Sequence, residues 1–155
     1  MIDYPSPIIQ IQQPGTSGMQ MVWIPQDEVF RVHNIFEEHD YGVPPQFLPS
    51  GPLTIVDIGA NVGLFALYMK NIRTDCDIYC FEPEPHILSL LDKNLKGHQG
   101  VKAFAFALSD HDGKAELHLN PFNSGENSLK SEGQQKGQSI QVDVRDAASV
   151  FQQIG

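Results

Sequence analysis

The sequence predicts an α/β fold built on a parallel sheet, because strand-like and helix-like segments alternate through its middle. Apolar runs typical of strands cover residues 53–58, 77–81 and 101–108. Segments with apolar residues at helical spacing lie between them, at 63–71 and 85–96. This order is a βαβαβ unit, in which right-handed crossovers join parallel strands. The first run is continuously apolar, which favours a central strand covered on both faces.

The residues before this unit predict an extension packed on it. Apolar residues alternate on both sides of Pro14-Gly15, which indicates a β-hairpin or edge structure. Asp27 is placed to cap a helix that runs to about His39. The prolines of 44–52 predict a stiff, non-helical connector. We therefore expect an N-terminal extension at 1–52 and a main domain at 53–155.

The residues after the unit predict two more strands, at 114–119 and 139–144, and a short helix from 146 to about 153. Between the strands lies 120–138, which is dense in Gly, Ser, Asn and Gln. Loops of this length are uncommon in compact domains unless they are mobile or functional. We therefore expect a lid or a substrate-contacting loop here.

Composition limits the partners that we expect. The 155 residues include 10 basic and 19 acidic side chains, and a net charge of −9 disfavours binding to nucleic acid. The N-terminus lacks a basic and then apolar leader, and Asp57 and Asn61 interrupt the most apolar segment. We expect a cytoplasmic protein with no membrane span and a small-molecule substrate. No histidine has a spacing that indicates a metal site.

The turn from Asp57 to Gly63 follows the first strand of the unit, at the edge of the sheet where open α/β folds bind ligands. Gly59 lets the backbone turn sharply, and Gly63 lets the following helix pack closely on its strand. The N–H groups at the start of that helix, near Asn61 to Leu64, can bind a negative group.

Three further positions at this edge indicate an adenosyl ligand. Glu82 ends the next strand, 19 residues after Gly63, and a carboxylate there can accept hydrogen bonds from both ribose hydroxyls. Asp57 is placed to meet an ammonium group. The turn at 107–110, after the third strand, lies where an adenine ring would fall.

The glycine spacing distinguishes between nucleotide cofactors. A dinucleotide site has the pattern G-x-G-x-x-G, but Asn61 and Leu64 occupy the second and third glycine positions counted from Gly59. The missing second glycine is the one that makes room for a pyrophosphate. The turn therefore favours S-adenosylmethionine (SAM) over NAD, and an NAD-dependent oxidoreductase fragment is the less favoured alternative. A glycine turn that binds nothing is also less favoured, because Glu82 lies at the expected offset independently.

Together these motifs resemble the FkbM-type methyltransferases, from about Ile35 to the C-terminus. The resemblance is carried by Val56–Gly63, Phe81-Glu82-Pro83, Ala107-Leu108-Ser109-Asp110 with Gly113, and Asn127-Ser128-Leu129. It implies a Rossmann-like class I fold and SAM-dependent methyl transfer, usually to a hydroxyl oxygen of a small molecule or a sugar. By position, it implies cofactor contacts from Asp57, Gly59, Ala60, Asn61, Gly63, Glu82, Pro83, Leu108 and Ser109. It implies substrate contacts from Asn127, Ser128 and Leu129, and it identifies no general base.

One departure from the family bears on these expectations. In the family, a strand with the motif Lys-x-Asp-x-Glu-Gly follows the region that matches 139–155, and this sequence ends before it. We therefore expect an incomplete second half and a sheet edge that a homo-oligomer would cover. A non-catalytic SAM-binding or interaction module is the alternative from another functional class.

Overall fold

The computed structural model describes residues 8–12, 18–38, 40–42, 44–130 and 138–155. Its strands are β1 (Ile8–Gln12), β2 (Met19–Trp23), β3 (Leu53–Ile58), β4 (Cys76–Phe81), β5 (Val101–Phe104), β6 (Ala107–Ser109), β7 (Gly113–His118) and β8 (Ser139–Asp146). Its α-helices are α1 (Phe30–Phe36), α2 (Leu64–Ile72), α3 (Pro85–Leu95) and α4 (Ala147–Ile154). None of the helices in these ranges is long and apolar enough to cross a membrane.

The parallel unit is confirmed. Strands β3, β4 and β5 pair in parallel in that order, and α2 and α3 are the crossovers between them. Ile58, Phe81 and Phe104 lie in register at the carboxyl ends of the three strands. The turns that follow β3 and β4 therefore meet at one edge of the sheet.

The predicted third strand is wrong in its length. Strand β5 ends at Phe104, and β6 belongs to a separate sheet of order β6-β8-β7, where it pairs in parallel with β8. Strand β7 pairs with the other edge of β8, antiparallel, over six residues. The sequence is apolar without interruption from Ala103 to Leu108, so its composition gives no sign that the backbone changes partner after Phe104.

The core lies against one face of the parallel sheet. Leu53 and Ile55 of β3 pack on the buried cluster that α2 and α3 supply, whereas Thr54 and Ile58 are exposed. Within the described residues β3 pairs only with β4, so the prediction of a central strand covered on both faces is wrong. An apolar run alone does not tell how many layers will cover it.

The N-terminal hairpin is confirmed as β1 and β2, while the turn at 13–17 lies outside the described residues. Val22 and Ile24 have no exposed surface and belong to the same core cluster as α2 and α3. The division at residue 52 remains a prediction, although the hairpin and the main domain bury side chains together.

The first helix differs from its prediction. Asp27 does not cap it: residues 26–28 form a 3₁₀ turn, and α1 follows Val29, which makes no side-chain cap. The helix ends at Phe36, and His39 lies outside the described residues. Ile35 of this helix is buried, whereas Val29, just before it, is exposed. Glu28, in this turn, makes hydrogen bonds with the distant Ser124. These contacts favour the 3₁₀ turn over a regular start of the helix.

Asn94 joins the hairpin to the main domain. Its side-chain oxygen accepts a hydrogen bond from the Trp23 N–H at 2.7 Å. Its amide nitrogen donates to the Trp23 carbonyl at 2.8 Å and to the Val62 carbonyl at 2.7 Å. Because Asn94 is only 2% exposed, water cannot replace these partners.

We predict that Asn94→Ala lowers the free energy of unfolding by about 3 kcal/mol, since it leaves several buried backbone groups without partners. Urea denaturation measures this change. The control is Asp92→Ala, an exposed position on the same helix, which should change stability by less than about 0.5 kcal/mol. Equal effects of the two substitutions would contradict the assigned role of Asn94.

Candidate functional site

The turn between β3 and α2 has the backbone shape that its glycines predict. Gly59, Asn61 and Gly63 adopt positive φ angles of 72°, 50° and 84°. The N–H groups of Gly59 and Ala60 both donate to the Phe81 carbonyl, at 3.0 and 3.1 Å. The turn is therefore folded back over the end of β4, which brings it beside Glu82.

Gly63 serves a packing role that differs from the predicted one. A Cβ atom at this position would lie 3.3 Å from Cγ of Leu95, so the glycine allows α2 to approach α3. The prediction had placed this close contact between the helix and its own strand. At Gly59 a Cβ would meet nothing within 4 Å, so only its φ angle requires glycine.

At the predicted anion site at the start of α2, three N–H groups already have acceptors within the chain. The Asn61 N–H donates to Oε2 of Glu82 at 2.9 Å, and the Val62 N–H donates to Oδ1 of Asn61 at 2.6 Å. The Gly63 N–H donates to the Ala60 carbonyl. The negative group at this turn is therefore the Glu82 carboxylate itself.

Glu82 is held from both sides. It is 7% exposed, and its Oε1 accepts a hydrogen bond from the Glu84 N–H at 2.9 Å. Burial raises its pKa to about 7, and the hydrogen bonds from Glu84 and Asn61 oppose that rise. Each carboxylate oxygen has a second lone pair, so Glu82 can still accept hydrogen bonds from a ligand.

A cavity of about 220 Å³ opens beside Glu82. Its walls are apolar except for four polar side chains, and it joins residues of both sheets. It is lined by Ile58, Gly59, Asn61, Phe81, Glu82, Pro83, Ala107, Leu108, Leu117, Ser124, Gly125, Asn127 and Leu129. Most of the predicted contacts thus meet in one cavity.

Five predicted residues do not line this cavity, and three of them line no other cavity described for the chain. Gly63 lies behind the turn, against Leu95. Ser109 is half-buried, and its hydroxyl donates to Asp110 at 3.2 Å. The backbone of Ser128 pairs with His118, which directs this residue to the ladder next to β7.

A second cavity of about 110 Å³ adjoins the same turn and shares Gly59, Asn61 and Gly125 with the larger one. Asp57 and Ala60 line this smaller cavity, as do Arg31 and Tyr41 from the N-terminal extension. Oδ2 of Asp57 is buried and has no hydrogen-bond partner among the described residues. Burial raises the pKa of Asp57 to about 6. The predicted position for an ammonium group is therefore a carboxylate that lacks a cation.

Glu28 is a site residue that the sequence did not reveal. It has no exposed surface, and its Oε1 accepts hydrogen bonds from the N–H of Ser124, at 2.6 Å, and from the Ser124 hydroxyl. Its Oε2 lies 3.2 Å from Nε of Arg31 and 3.4 Å from Nδ2 of Asn61. The only local signal is the i, i+3 spacing of Glu28 and Arg31.

The described part of the polar loop is held in place by its own side chains. Oδ1 of Asn127 accepts from the Asn120 N–H at 2.8 Å, and Oδ1 of Asn123 accepts from the Gly125 N–H at 3.1 Å. Asn61 also donates to the Ser124 hydroxyl at 2.9 Å. The loop forms a wall of the larger cavity, and residues 131–137 lie outside the described residues.

Comparison with known proteins gives three relatives that are named as methyltransferases. The chain is 39% identical over 110 residues to Methyltransferase sdnD of Sordaria araneosa, a match that covers 69% of this chain and 41% of that protein. It is 35% identical over 108 residues to Methyltransferase 1 of Beauveria bassiana, with coverage of 68% and 42%. No family model matches the chain.

A shorter match is to 2-O-methyltransferase NoeI of Sinorhizobium fredii, at 31% identity over 64 residues, or 41% of this chain and 26% of that protein. The chain thus spans about two fifths of the length of the first two relatives. The mixed α/β architecture with its parallel sheet is consistent with a methyltransferase-like fold. These similarities support a methyltransferase relationship for this chain.

We predict that Asp57→Asn changes how stability depends on pH. Asp57 has a higher pKa in the folded protein, about 6, than its ordinary 3.8, so the folded state binds the proton more tightly than the unfolded state. The free energy of unfolding therefore falls as the pH rises from about 4 to about 6, by about 3 kcal/mol. Asparagine removes this contribution.

Denaturation of both proteins at a series of pH values measures the effect. The stability difference between Asp57→Asn and the unsubstituted chain should grow across this range and then stay constant. Asp92→Asn, which changes an exposed carboxylate, is the matched control. A difference that does not vary with pH would contradict the assigned state of Asp57.

Proposed function

We propose that this chain holds the cofactor-binding part of a SAM-dependent methyltransferase of the FkbM type. The observation that carries the proposal is the buried Glu82 carboxylate, oriented by two backbone N–H groups at the mouth of the larger cavity. The names of the relatives support methyl transfer. The name of the third, a 2-O-methyltransferase, favours a hydroxyl group of a small molecule as the acceptor.

The residues of the two cavities fit the parts of SAM. In the larger one, Glu82 would accept hydrogen bonds from the ribose hydroxyls, and the apolar walls near Phe81 and Leu108 would hold the adenine ring. In the smaller one, the orphaned Oδ2 of Asp57 would receive the ammonium group. When bound, SAM supplies a methyl group on a positively charged sulfur. The chain's own contribution to transfer is to bind and orient the reactants.

The state of Asn61 favours SAM over NAD. Its side chain is engaged with Ser124 and Glu28, and its backbone N–H donates to Glu82. A pyrophosphate would require close approach of the backbone and acceptor-free N–H groups at this turn. Neither condition is met at Asn61.

We predict that calorimetric titration detects binding of SAM and S-adenosylhomocysteine, and that Glu82→Gln weakens both by about tenfold or more. The variant loses a charged acceptor at the ribose and sets an amide N–H₂ against a backbone donor. Glu84→Gln is the matched control. Glu84 is also buried, but its side chain caps α3 through the Ile87 N–H, and an amide oxygen can keep that bond.

Binding of NAD in the absence of binding by either adenosyl ligand would overturn the proposal. Equal affinities in Glu82→Gln and the unsubstituted chain would remove Glu82 from the ribose contact. Methyl transfer to an added hydroxyl compound is a separate assay, and cofactor binding does not depend on its outcome.

The charge of Asp57 also predicts a pH dependence of SAM binding. A nearby ammonium group favours the charged carboxylate, so binding below a pH of about 6 must remove a proton from Asp57. SAM affinity should therefore fall as the pH drops from about 7 to about 5. The fall should be smaller in Asp57→Asn, and an identical fall in both proteins would contradict the ammonium contact.

A further inference from the structure

The smaller cavity presents groups of both charges to whatever occupies it. Asp57 and Arg31 both line it, one from the end of β3 and the other from α1. Arg31 pairs with Glu28, but Asp57 has no ion-pair partner among the described residues. Asp57 and Arg31 therefore do not neutralise each other in an ion pair.

The charges of Asp57 and Arg31 both act on the hydroxyl group of Tyr41, which also lines the cavity. Burial raises the pKa of Tyr41, the Asp57 charge raises it further, and the Arg31 charge lowers it. The Tyr41 ring packs at 4.7 Å from the Phe65 ring, which also lines the cavity. Asp57, Arg31 and this aromatic pair line one cavity of only about 110 Å³, so one small ionic ligand in it would lie next to both charged side chains.

Two segments of the chain, the turn at Glu28 and the polar loop at 123–125, fix the position of the Arg31 guanidinium. Nε lies 3.2 Å from Oε2 of Glu28, and Nη2 donates to Oδ1 of Asn123 at 2.7 Å. The backbone of Gly125 packs against the same group, since a Cβ atom there would lie 2.2 Å from Nη2. An arginine has five N–H donors, and the polar contacts to Glu28 and Asn123 use Nε and Nη2 but not Nη1.

A guanidinium held in this way is suited to carboxylate recognition. Its planar donors match the two oxygens of a carboxylate, and little side-chain entropy remains to be lost on binding. A ligand with an ammonium and a carboxylate on one carbon would satisfy Asp57 and Arg31 together. That arrangement is the α-amino-acid end of a molecule.

We propose that Arg31 binds the carboxylate of the cofactor's amino-acid end, while Asp57 binds its ammonium group. This inference rests on the proposed SAM-binding function, and it adds a specificity-determining residue from the N-terminal extension. The smaller cavity then selects adenosyl compounds that carry the amino acid, such as SAM and S-adenosylhomocysteine. It gives no advantage to 5′-methylthioadenosine, which has the same nucleoside but lacks the amino acid.

The test is calorimetric titration of the full chain with S-adenosylhomocysteine, its decarboxylated amine analogue and 5′-methylthioadenosine. In Arg31→Gln, affinity for S-adenosylhomocysteine should fall by about tenfold or more. Affinity for the other two ligands, which have no carboxylate, should change by less than about twofold. Arg145→Gln, on the exposed surface of β8, is the charge-matched control and should behave like the unsubstituted chain.

A second variant guards against loss of folding, because Arg31→Gln leaves the buried Glu28 without its cation. Arg31→Lys keeps that charge but loses the planar pair of donors, so it should weaken S-adenosylhomocysteine selectively and by a smaller factor. Equal weakening of all three ligands, or no weakening of S-adenosylhomocysteine, would overturn the proposal. Failure of the unsubstituted chain to bind any adenosyl ligand would instead overturn the proposed function.

Discussion

The buried carboxylate of Glu28 connects the parts of the molecule that form the candidate site. It receives hydrogen bonds from Ser124, faces Arg31 and lies next to the Asn61 amide. Removal of one partner of a buried charge is strongly destabilising, commonly by about 3–5 kcal/mol, because the remaining charge stays uncompensated. The extension, the β3–α2 turn and the polar loop are therefore held in one arrangement by a single side chain.

Two other carboxylates show how different surroundings prepare similar groups for different ligands. Burial raises the pKa of both Asp57 and Glu82. Glu82 is compensated by two backbone N–H groups, which fix its orientation beside the larger cavity. Oδ2 of Asp57 has no such compensation among the described residues, so a cation gains more there than at Glu82. In the proposed function, the neutral and cationic parts of one ligand would therefore bind in separate cavities.

Local patterns in the sequence were sufficient to predict the parallel unit, the glycine turn and the position of Glu82 at the end of β4. Strand ends and turn residues carry their own signals. The start of α3 also follows a local rule, because the side chain of Glu84 accepts a hydrogen bond from the Ile87 N–H. Local patterns failed where contacts are long-range. Glu28 reaches Ser124 across 96 residues, and the chain leaves the parallel sheet after Phe104 within an unbroken apolar run. Neither event has a local pattern that would reveal it.

The break after Phe104 has a consequence for the larger cavity. Ile58 and Phe81 on one side belong to the parallel sheet, whereas Leu108 and Leu117 on the other side belong to the second sheet. No strand hydrogen bonds join the two sheets among the described residues, so the cavity lies along a seam between them. A ligand that fills the seam would contact both sheets at once and so hold them together. Part of its binding free energy then appears as cohesion of the fold itself.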